Sequence, residues 1–212
     1  MVFLYLESGT VRTVSKKHLY YLLHKPYKVL SQFTDEAGNP GLGTICSLPK
    51  DVYPVGRLDL DSEGLLILSN DRTLNNKLLN PQYKHKRTYW VEVEGMPNNE
   101  SLTALGNGVE ININGKKYQT QKAEVAIISP APALAEREPP VNYLKHPKRT
   151  WLEIKLTEGK NRQVRKMTAK VGHPTLRLVR VAIEQVFLGD LRSGDLVQVS
   201  EKVLLKKLHL TL

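Results

Sequence analysis

The chain has 212 residues, 41% of them hydrophobic and 25% charged, which fits a globular protein and leaves no apolar run near the roughly 20 residues of a membrane span. The formal net charge of +10 suggests a polyanionic partner. A single cysteine, Cys46, excludes a disulfide within the chain and favours a reducing, cytoplasmic location.

The predicted elements alternate between short strands and short helices after a loosely tied lead-in over 1–17. In chain order the patterns predict strand 18–26, a turn-rich loop 33–43, strand 64–71, helix 71–80, strand 88–95, helix 98–108, strands 109–114 and 117–128, a proline-rich loop 129–148, strand 150–159, helix 161–172 and strand 175–188. This order indicates an α+β fold with a mixed, mostly antiparallel central sheet and flanking helices. We expect one bilobed domain over 18–212.

The positive charge is concentrated in one part of the chain. From Lys145 to Arg180 there are eleven Lys or Arg residues against Glu153 and Glu158, so this stretch supplies +9 of the +10. A concentrated positive field is typical of nucleic-acid binding. A solvated basic face on an enzyme with another substrate is the alternative.

An acidic cluster, "GRLDLDSEGLLIL" over 56–68, precedes an apolar run. Asp59, Asp61 and Glu63 match the first positions of a calcium-binding loop, but Asn70 stands where that loop needs Glu, and the positions between are apolar. The six histidines are scattered and offer no zinc site. The sequence therefore predicts no metal site.

Carboxylates at this spacing have two further interpretations. On an extended chain Arg57, Asp59, Asp61 and Glu63 would share one face, where a carboxylate could take part in acid–base or covalent chemistry. Paired carboxylates of glycosidases usually come from distant segments, however. A charged loop without chemistry is the alternative that the pattern leaves open.

Five stretches together resemble a known family. "GRLDLDSEGLLILSND" resembles the signature of bacterial ribosomal RNA pseudouridine synthases, the group of the small-subunit synthase A and the large-subunit synthases B, E and F. Further stretches resemble the other motifs of this family in the same order, namely "HKPYKVLSQFTDE" (24–36), "KRTYWVEVEG" (86–95), "LTEGKNRQVRKM" (156–167) and "HPTLRLVRVAI" (173–183). The resemblance implies the pseudouridine synthase fold.

By this resemblance Asp59 is the catalytic aspartate of a uridine isomerase. The uracil is detached from the ribose C1′, turned, and reattached through C5, with Asp59 acting as nucleophile or base. A carboxylate can trap or stabilise the electron-poor sugar while the glycosidic bond is broken. The resemblance implies no cofactor and no metal.

The resemblance also implies supporting roles around Asp59. Arg165 lies at the rim of the apolar face of the predicted helix and would turn inward to pair with Asp59 and hold it ionised. Tyr89 would stack on the target base. Leu178 would support the site, and Arg57 and Ser62 would position the loop of Asp59. One departure from the family pattern is Glu184, which stands where a glycine usually follows "R-x-x-I".

The remaining basic residues are predicted to hold RNA. Phosphate contacts are expected from Arg162, Lys166, Lys170, Lys160, Arg177 and Arg180. Only about 17 residues precede the opening motif, so we expect no S4-type RNA-binding module. This feature and "PAPALAEREPP" (130–140) resemble the E-type large-subunit members, which implies a uridine of 23S ribosomal RNA as substrate and a monomeric enzyme.

Two hypotheses of other classes stay open beside the enzyme. One is a catalytically idle RNA-binding factor of ribosome assembly on the same fold, against which intact Asp59, Tyr89 and Arg165 argue. The other is a glycoside-cleaving hydrolase, against which the basic charge argues.

Overall fold

The computed structural model describes residues 18–210, so the predicted lead-in over 1–17 lies outside the described residues. The strands are β1 Tyr20–Lys25, β2 Tyr53–Pro54, β3 Glu63–Ser69, β4 Arg87–Glu94, β5 Glu110–Ile113, β6 Lys116–Gln119, β7 Glu124–Ile128, β8 Arg149–Leu156, β9 Thr175–Ile183, β10 Val186–Phe187 and β11 Leu196–Val199. The α-helices are α1 Arg72–Leu79, α2 Asn99–Asn107, α3 Gln163–Lys170 and α4 Glu201–Lys207.

One mixed sheet organises these elements. Its strand order is β11-β1-β3-β9-β4-β8-β7, with β2 paired to β3 and β10 paired to β9. Neighbouring strands run antiparallel except β3 and β9, which are parallel. Strands β5 and β6 form a separate hairpin. The predicted α+β fold with a mixed, mostly antiparallel sheet is confirmed.

Strand β3 lies at the centre of the hydrophobic core. Leu65 and Ile67 pack on one face of the sheet against helices α1 and α4. Leu66 and Leu68 pack on the other face, against the segment that follows β1. Because both faces are covered, this strand is a continuous apolar run and does not alternate with polar residues. The acidic loop before β3 is thus fixed to the most buried strand.

Local signals place the first two helices as predicted. The side chain of Asp71 accepts a hydrogen bond from the Thr73 amide and caps α1, and the side chain of Asn98 caps α2 in the same way. Helix α3 begins later than predicted because Arg162 adopts a left-handed φ of 52°, which no regular helix contains. Helix α3 is therefore shorter than the predicted 161–172.

The proline-rich segment 129–148 contains no helix or strand, as predicted. Leu134 packs against the cluster that contains Leu65 and Ile67. The Arg177 guanidinium donates to the Ala135 carbonyl, and the Arg137 guanidinium lies 3.8 Å from the centroid of the Tyr27 ring. Through these contacts the segment packs on the sheet on the side of helices α1 and α4.

Within residues 18–210, no helix is long and apolar enough to span a membrane.

Candidate active site

Asp59 lies in a turn that the preceding chain holds in place. The Ser31 hydroxyl donates to the Leu58 carbonyl at 2.8 Å and accepts from the Leu58 amide at 3.0 Å. The Lys28 amide donates to the Leu60 carbonyl at 2.8 Å, and the Ser62 amide donates to the Asp59 carbonyl at 3.0 Å. The backbone on both sides of Asp59 is thus fixed, which preorganises its carboxylate.

The half-buried Asp59 lines a cleft of about 770 Å³. This volume falls in the roughly 300–1,000 Å³ range of ligand sites. One wall comes from the turn of Asp59 and the end of α1, and the opposite wall from the 156–164 segment. The predicted residues Arg57, Ser62, Tyr89, Leu178, Lys160, Arg162 and Arg180 also line it. The structure therefore brings most of the predicted site residues together.

Tyr89 and Leu178 reach the cleft from adjacent strands. In the antiparallel register of β4 and β9, Tyr89 pairs with Arg180 and Val91 pairs with Leu178. Residues two apart on a strand share a face, so Leu178 and Arg180 lie on the same face of β9, and both line the cleft with Tyr89. Tyr89 is half-buried, which leaves part of its ring open to the cleft. An aromatic ring beside an apolar floor is a suitable surface for a flat base.

Arg165 does not pair with Asp59 as predicted. Its Nε lies 3.3 Å from the Asp61 carboxylate, and its guanidinium donates to the carbonyls of Asp61 and Thr175. Arg162 forms two further hydrogen bonds with the same carboxylate, at 2.8 and 2.7 Å. The direct partner of Arg165 is therefore Asp61.

The charges in this network act on each other. Burial opposes ionisation of Asp61, but the hydrogen bond from Arg162 and the charge of Arg165 lower its pKa below the usual value. Burial lowers the pKa of Arg165, while the negative charges of Asp61 and Asp59 oppose that change. Asp59 is thus near enough to raise the pKa of Arg165, although the two side chains form no direct ion pair.

The predicted polar face from Arg57 to Glu63 is also wrong. The chain turns between Asp59 and Ser62, so it is not an extended strand there. Glu63 begins β3 and is buried, with its carboxylate in a two-pronged ion pair with Arg177 at 2.9 Å. The carboxylate of Glu63 is therefore structural, and only Asp59 of the three acidic residues lines the cleft.

The predicted RNA-binding residues fall into two groups. Lys160, Arg162, Lys166 and Lys170 lie at least partly exposed on or next to α3. Arg177 and Arg180 are only 6% and 4% exposed. Arg177 is occupied by Glu63, which contradicts its predicted contact with RNA phosphates. Arg180 donates to the Leu65 carbonyl and lines the cleft, so it can meet only a group inside the cleft and not a phosphate at the surface.

Sequence reasoning missed the wall that the β5–β6 hairpin contributes. The Tyr118 hydroxyl donates to the Glu158 carboxylate, which also accepts from the Gln163 side chain and the Gln121 amide. The Lys160 ammonium lies 4.9 Å from the centroid of the Tyr118 ring. The contacts of Tyr118 and Gln121 with Glu158 join segments about 40 residues apart, so a local pattern carries no signal for them.

Lys25 is a second residue that the sequence did not single out. It is fully buried at the end of β1, and its ammonium donates to the carbonyls of Pro26 and Val29 at 2.8 and 2.6 Å. Burial lowers the pKa of Lys25 to about 8, against the attraction of three nearby carboxylates. These hydrogen bonds close the turn whose Lys28 amide holds the loop of Asp59.

Lys25→Met should change how stability depends on pH. The folded pKa of about 8 lies below the usual 10.5, so between these values the unfolded chain binds the extra proton. The parent therefore gains stability as pH rises through this window, by up to about 1.4 kcal/mol per pH unit. Urea unfolding should show this slope in the parent and in the exposed control Lys28→Met, but not in Lys25→Met. Equal slopes in all three would contradict the shifted pKa.

Within residues 18–210, no group of three or more His, Cys, Asp or Glu side chains is arranged to hold a metal ion. Catalysis without metal or cofactor stays a prediction.

Comparison with known proteins identifies the fold and the family. A family model described as RNA pseudouridylate synthase matches residues 19–170. A ribosomal large subunit pseudouridine synthase E of Xanthomonas axonopodis pv. citri is 53% identical over 164 residues, which cover 76% of this chain and 84% of that protein. The protein of the same name from Vibrio parahaemolyticus is 48% identical over 174 residues, covering 82% and 71%.

A crystal structure of a pseudouridylate synthase matches 93% of this chain and 76% of its own, with a TM-score of 0.73 and 22% identity, which shows a common fold. The family match includes the turn of Asp59, the strand of Tyr89 and helix α3. The predicted resemblance, which rested on five separate stretches, is thereby confirmed. The chain belongs to the RNA pseudouridylate synthase family and is an enzyme of that family.

Proposed function

We propose that this enzyme isomerises a uridine of 23S ribosomal RNA, in the large subunit, to pseudouridine. The observation that carries the proposal is Asp59, a half-buried carboxylate on a fixed turn in a cleft with Tyr89 and Leu178. The relatives at 48% and 53% identity are named large-subunit synthases, which supports the choice of RNA. The enzyme acts as a monomer in the cytoplasm and needs no cofactor.

Asp59 attacks the ribose or the base, or removes a proton, while the uracil is detached from C1′ and reattached through C5. Tyr89 stacks on the uracil, and Leu178 forms the apolar floor. Closure of the base over this floor excludes water from the carboxylate and strengthens the electrostatic action of Arg165.

Release of tritium tests the proposal directly. Large-subunit ribosomal RNA with tritium at uracil C5 should lose label on incubation with the enzyme, because the new bond at C5 displaces that hydrogen. Small-subunit RNA is the matched control and should keep its label. A catalytically idle RNA-binding factor, or a hydrolase that only cleaves the glycosidic bond, would release none from either RNA.

Lys166→Ala and Lys170→Ala should weaken RNA binding without slowing the chemistry. Both side chains lie on α3 outside the lining of the cleft, where they can neutralise a phosphate. We expect each change to reduce the slope of log affinity against log salt by about one, with an unchanged single-turnover rate at saturating RNA. Lys202→Ala, an exposed change on α4, is the control. A slower saturated rate in Lys166→Ala would contradict this assignment.

Removal of metal should leave activity intact. The calcium-loop pattern fails at Asn70, and hydrogen bonds from Ser31, Lys28 and Ser62 hold the Asp59 turn. Dialysis against EDTA, with RNA refolded in monovalent salt, should therefore preserve the rate of tritium release. Activity that returned only on addition of calcium or zinc would refute the prediction.

A further inference from the structure

A second, shallower groove adjoins the active-site cleft. It has a volume of about 410 Å³ and is lined by Arg72, Thr73, Asn76, Lys77, Asn80 and Tyr83. Asn80 also lines the cleft of Asp59, so the two spaces lie next to each other at the end of α1. A polymer whose one unit occupies the cleft can therefore extend into this groove.

The chemistry of the groove suits a strand of RNA. Tyr83 is 50% exposed, so part of its ring is open to a partner in the groove. Arg72 and Lys77 contribute positive charge, and none of the six lining side chains is acidic. Single-stranded nucleic acid is bound by this combination of a ring on which a base stacks and cations that meet the phosphates.

The backbone that carries Tyr83 is fixed before any ligand binds. The Asn80 side chain accepts from the Gln82 amide, and residues Pro81–Tyr83 form a 3-10 turn. The Lys84 amide closes this turn onto the Pro81 carbonyl, and Lys84 itself adopts a left-handed φ of 49°. A preorganised ring loses little conformational entropy on binding, which favours its use as a stacking surface.

Glu184 anchors the same segment from the other side. Its carboxylate accepts from the Lys86 amide at 2.7 Å and lies 3.1 Å from Nδ1 of His85. His85 is buried, lines the cleft, and has its ring centroid 6.2 Å from that of Tyr83. Glu184 stands where the motif resemblance expects glycine and still adopts a left-handed φ of 49°. A glycine would keep this turn but would provide no carboxylate to hold His85 and Lys86.

We propose that this groove binds a nucleotide that flanks the target uridine, with Tyr83 stacked on its base and Arg72 and Lys77 facing its phosphates. Glu184 acts as a positioning residue for this platform through His85 and Lys86. The inference rests on the proposed function, because it takes the RNA that places its uridine beside Asp59 as the occupant. The groove lies next to the cleft at Asn80 and has a positive lining without acidic side chains, which favours this RNA over a protein partner.

The test pairs protein variants with RNA variants. The probe is a large-subunit ribosomal RNA fragment that the parent enzyme modifies, together with copies in which each nucleotide next to the target is made abasic in turn. Tyr83→Ala should weaken binding of the intact fragment by about 10-fold, the effect of losing one stacked base. At one abasic position the affinity of the parent for the fragment should also fall by about 10-fold. On that abasic fragment, Tyr83→Ala and the parent should bind equally well.

Three further variants separate stacking from general damage. Tyr83→Phe should keep the parent affinity. Tyr53 is even more exposed than Tyr83 and lines neither space, so Tyr53→Ala should have no effect. Glu184→Gly should weaken binding by about 3-fold. The double variant Glu184→Gly with Tyr83→Ala should lose no more RNA affinity than Tyr83→Ala alone, because both changes remove the same contact. Tyr53→Ala should also keep the single-turnover rate of tritium release at saturating RNA.

The outcomes that overturn the inference differ from those that overturn the proposed function. Parent affinity in Tyr83→Ala, or a loss that no abasic position cancels, would overturn the stacking role, even with normal tritium release. Loss of affinity in Glu184→Gly that adds fully to that of Tyr83→Ala would overturn the positioning role. Failure of the parent enzyme to release tritium from large-subunit RNA would instead count against the proposed function.

Discussion

Asp59→Asn should abolish turnover, with a loss of at least about 10³-fold in the single-turnover rate of tritium release. An amide has nearly the same shape as a carboxylate, but it cannot act as a nucleophile or a base and carries no charge to stabilise an electron-poor sugar. The turn is held by backbone groups and by Ser31, so the variant should keep its fold and its affinity for RNA. Rate at saturating RNA and affinity at equilibrium are the two measurements.

Asp61→Asn is the matched control two residues away. An amide oxygen at position 61 can still accept a hydrogen bond from Arg162, and the Asp61 carbonyl still holds Arg165. The variant should therefore keep most of the activity that Asp59→Asn loses. Turnover of Asp59→Asn near the parent rate would refute the assigned chemistry, and an equal loss in both variants would show that the acidic turn acts only as a unit.

The parts of this fold that could be predicted from sequence are those fixed by neighbouring residues. The continuous run of Leu and Ile predicts a strand that is buried on both faces, and β3 is such a strand. Asp71 and Asn98 are capping residues, and they mark the starts of helices α1 and α2. The position of Asp59 before that strand follows from the same local pattern. These signals lie within about ten residues of the features they predict.

The parts that could not be predicted depend on contacts between distant segments. The partner of Arg165 is decided by a turn that points Asp61, and not Asp59, toward α3, about 100 residues away. Arg177 looks like a surface cation in sequence, but the parallel pairing of β3 with β9 sets it beside Glu63. A basic residue carries the same charge on a helix and within a strand. The sequence alone therefore does not distinguish a cation that contacts a phosphate from one that forms a buried ion pair.

The electrostatic role of α3 leads to the second large effect, which we expect from Arg165→Met. The Arg165 side chain is 14% exposed, lies 3.3 Å from the Asp61 carboxylate and donates to two carbonyls. Methionine fills much of the same volume but removes the hydrogen bonds to the two carbonyls and the positive charge near Asp59. Misplacement of a preorganised carboxylate by about 1 Å costs roughly 10²-fold, so we expect a loss of about 10²–10³-fold in the chemical step.

The same experiment on Arg162 separates this role from general ion pairing. Arg162 binds the same Asp61 carboxylate, but its side chain is 42% exposed, so solvent screens its charge and Arg162→Met should slow the chemistry far less. Arg165→Lys restores the charge without the planar fork and should recover part of the rate. The measurement is the single-turnover rate at saturating RNA, at which weakened binding no longer contributes. If Arg165→Met lowered only RNA affinity, or if Arg162→Met slowed the chemistry as much, the cation that supports Asp59 would have to be a residue other than Arg165.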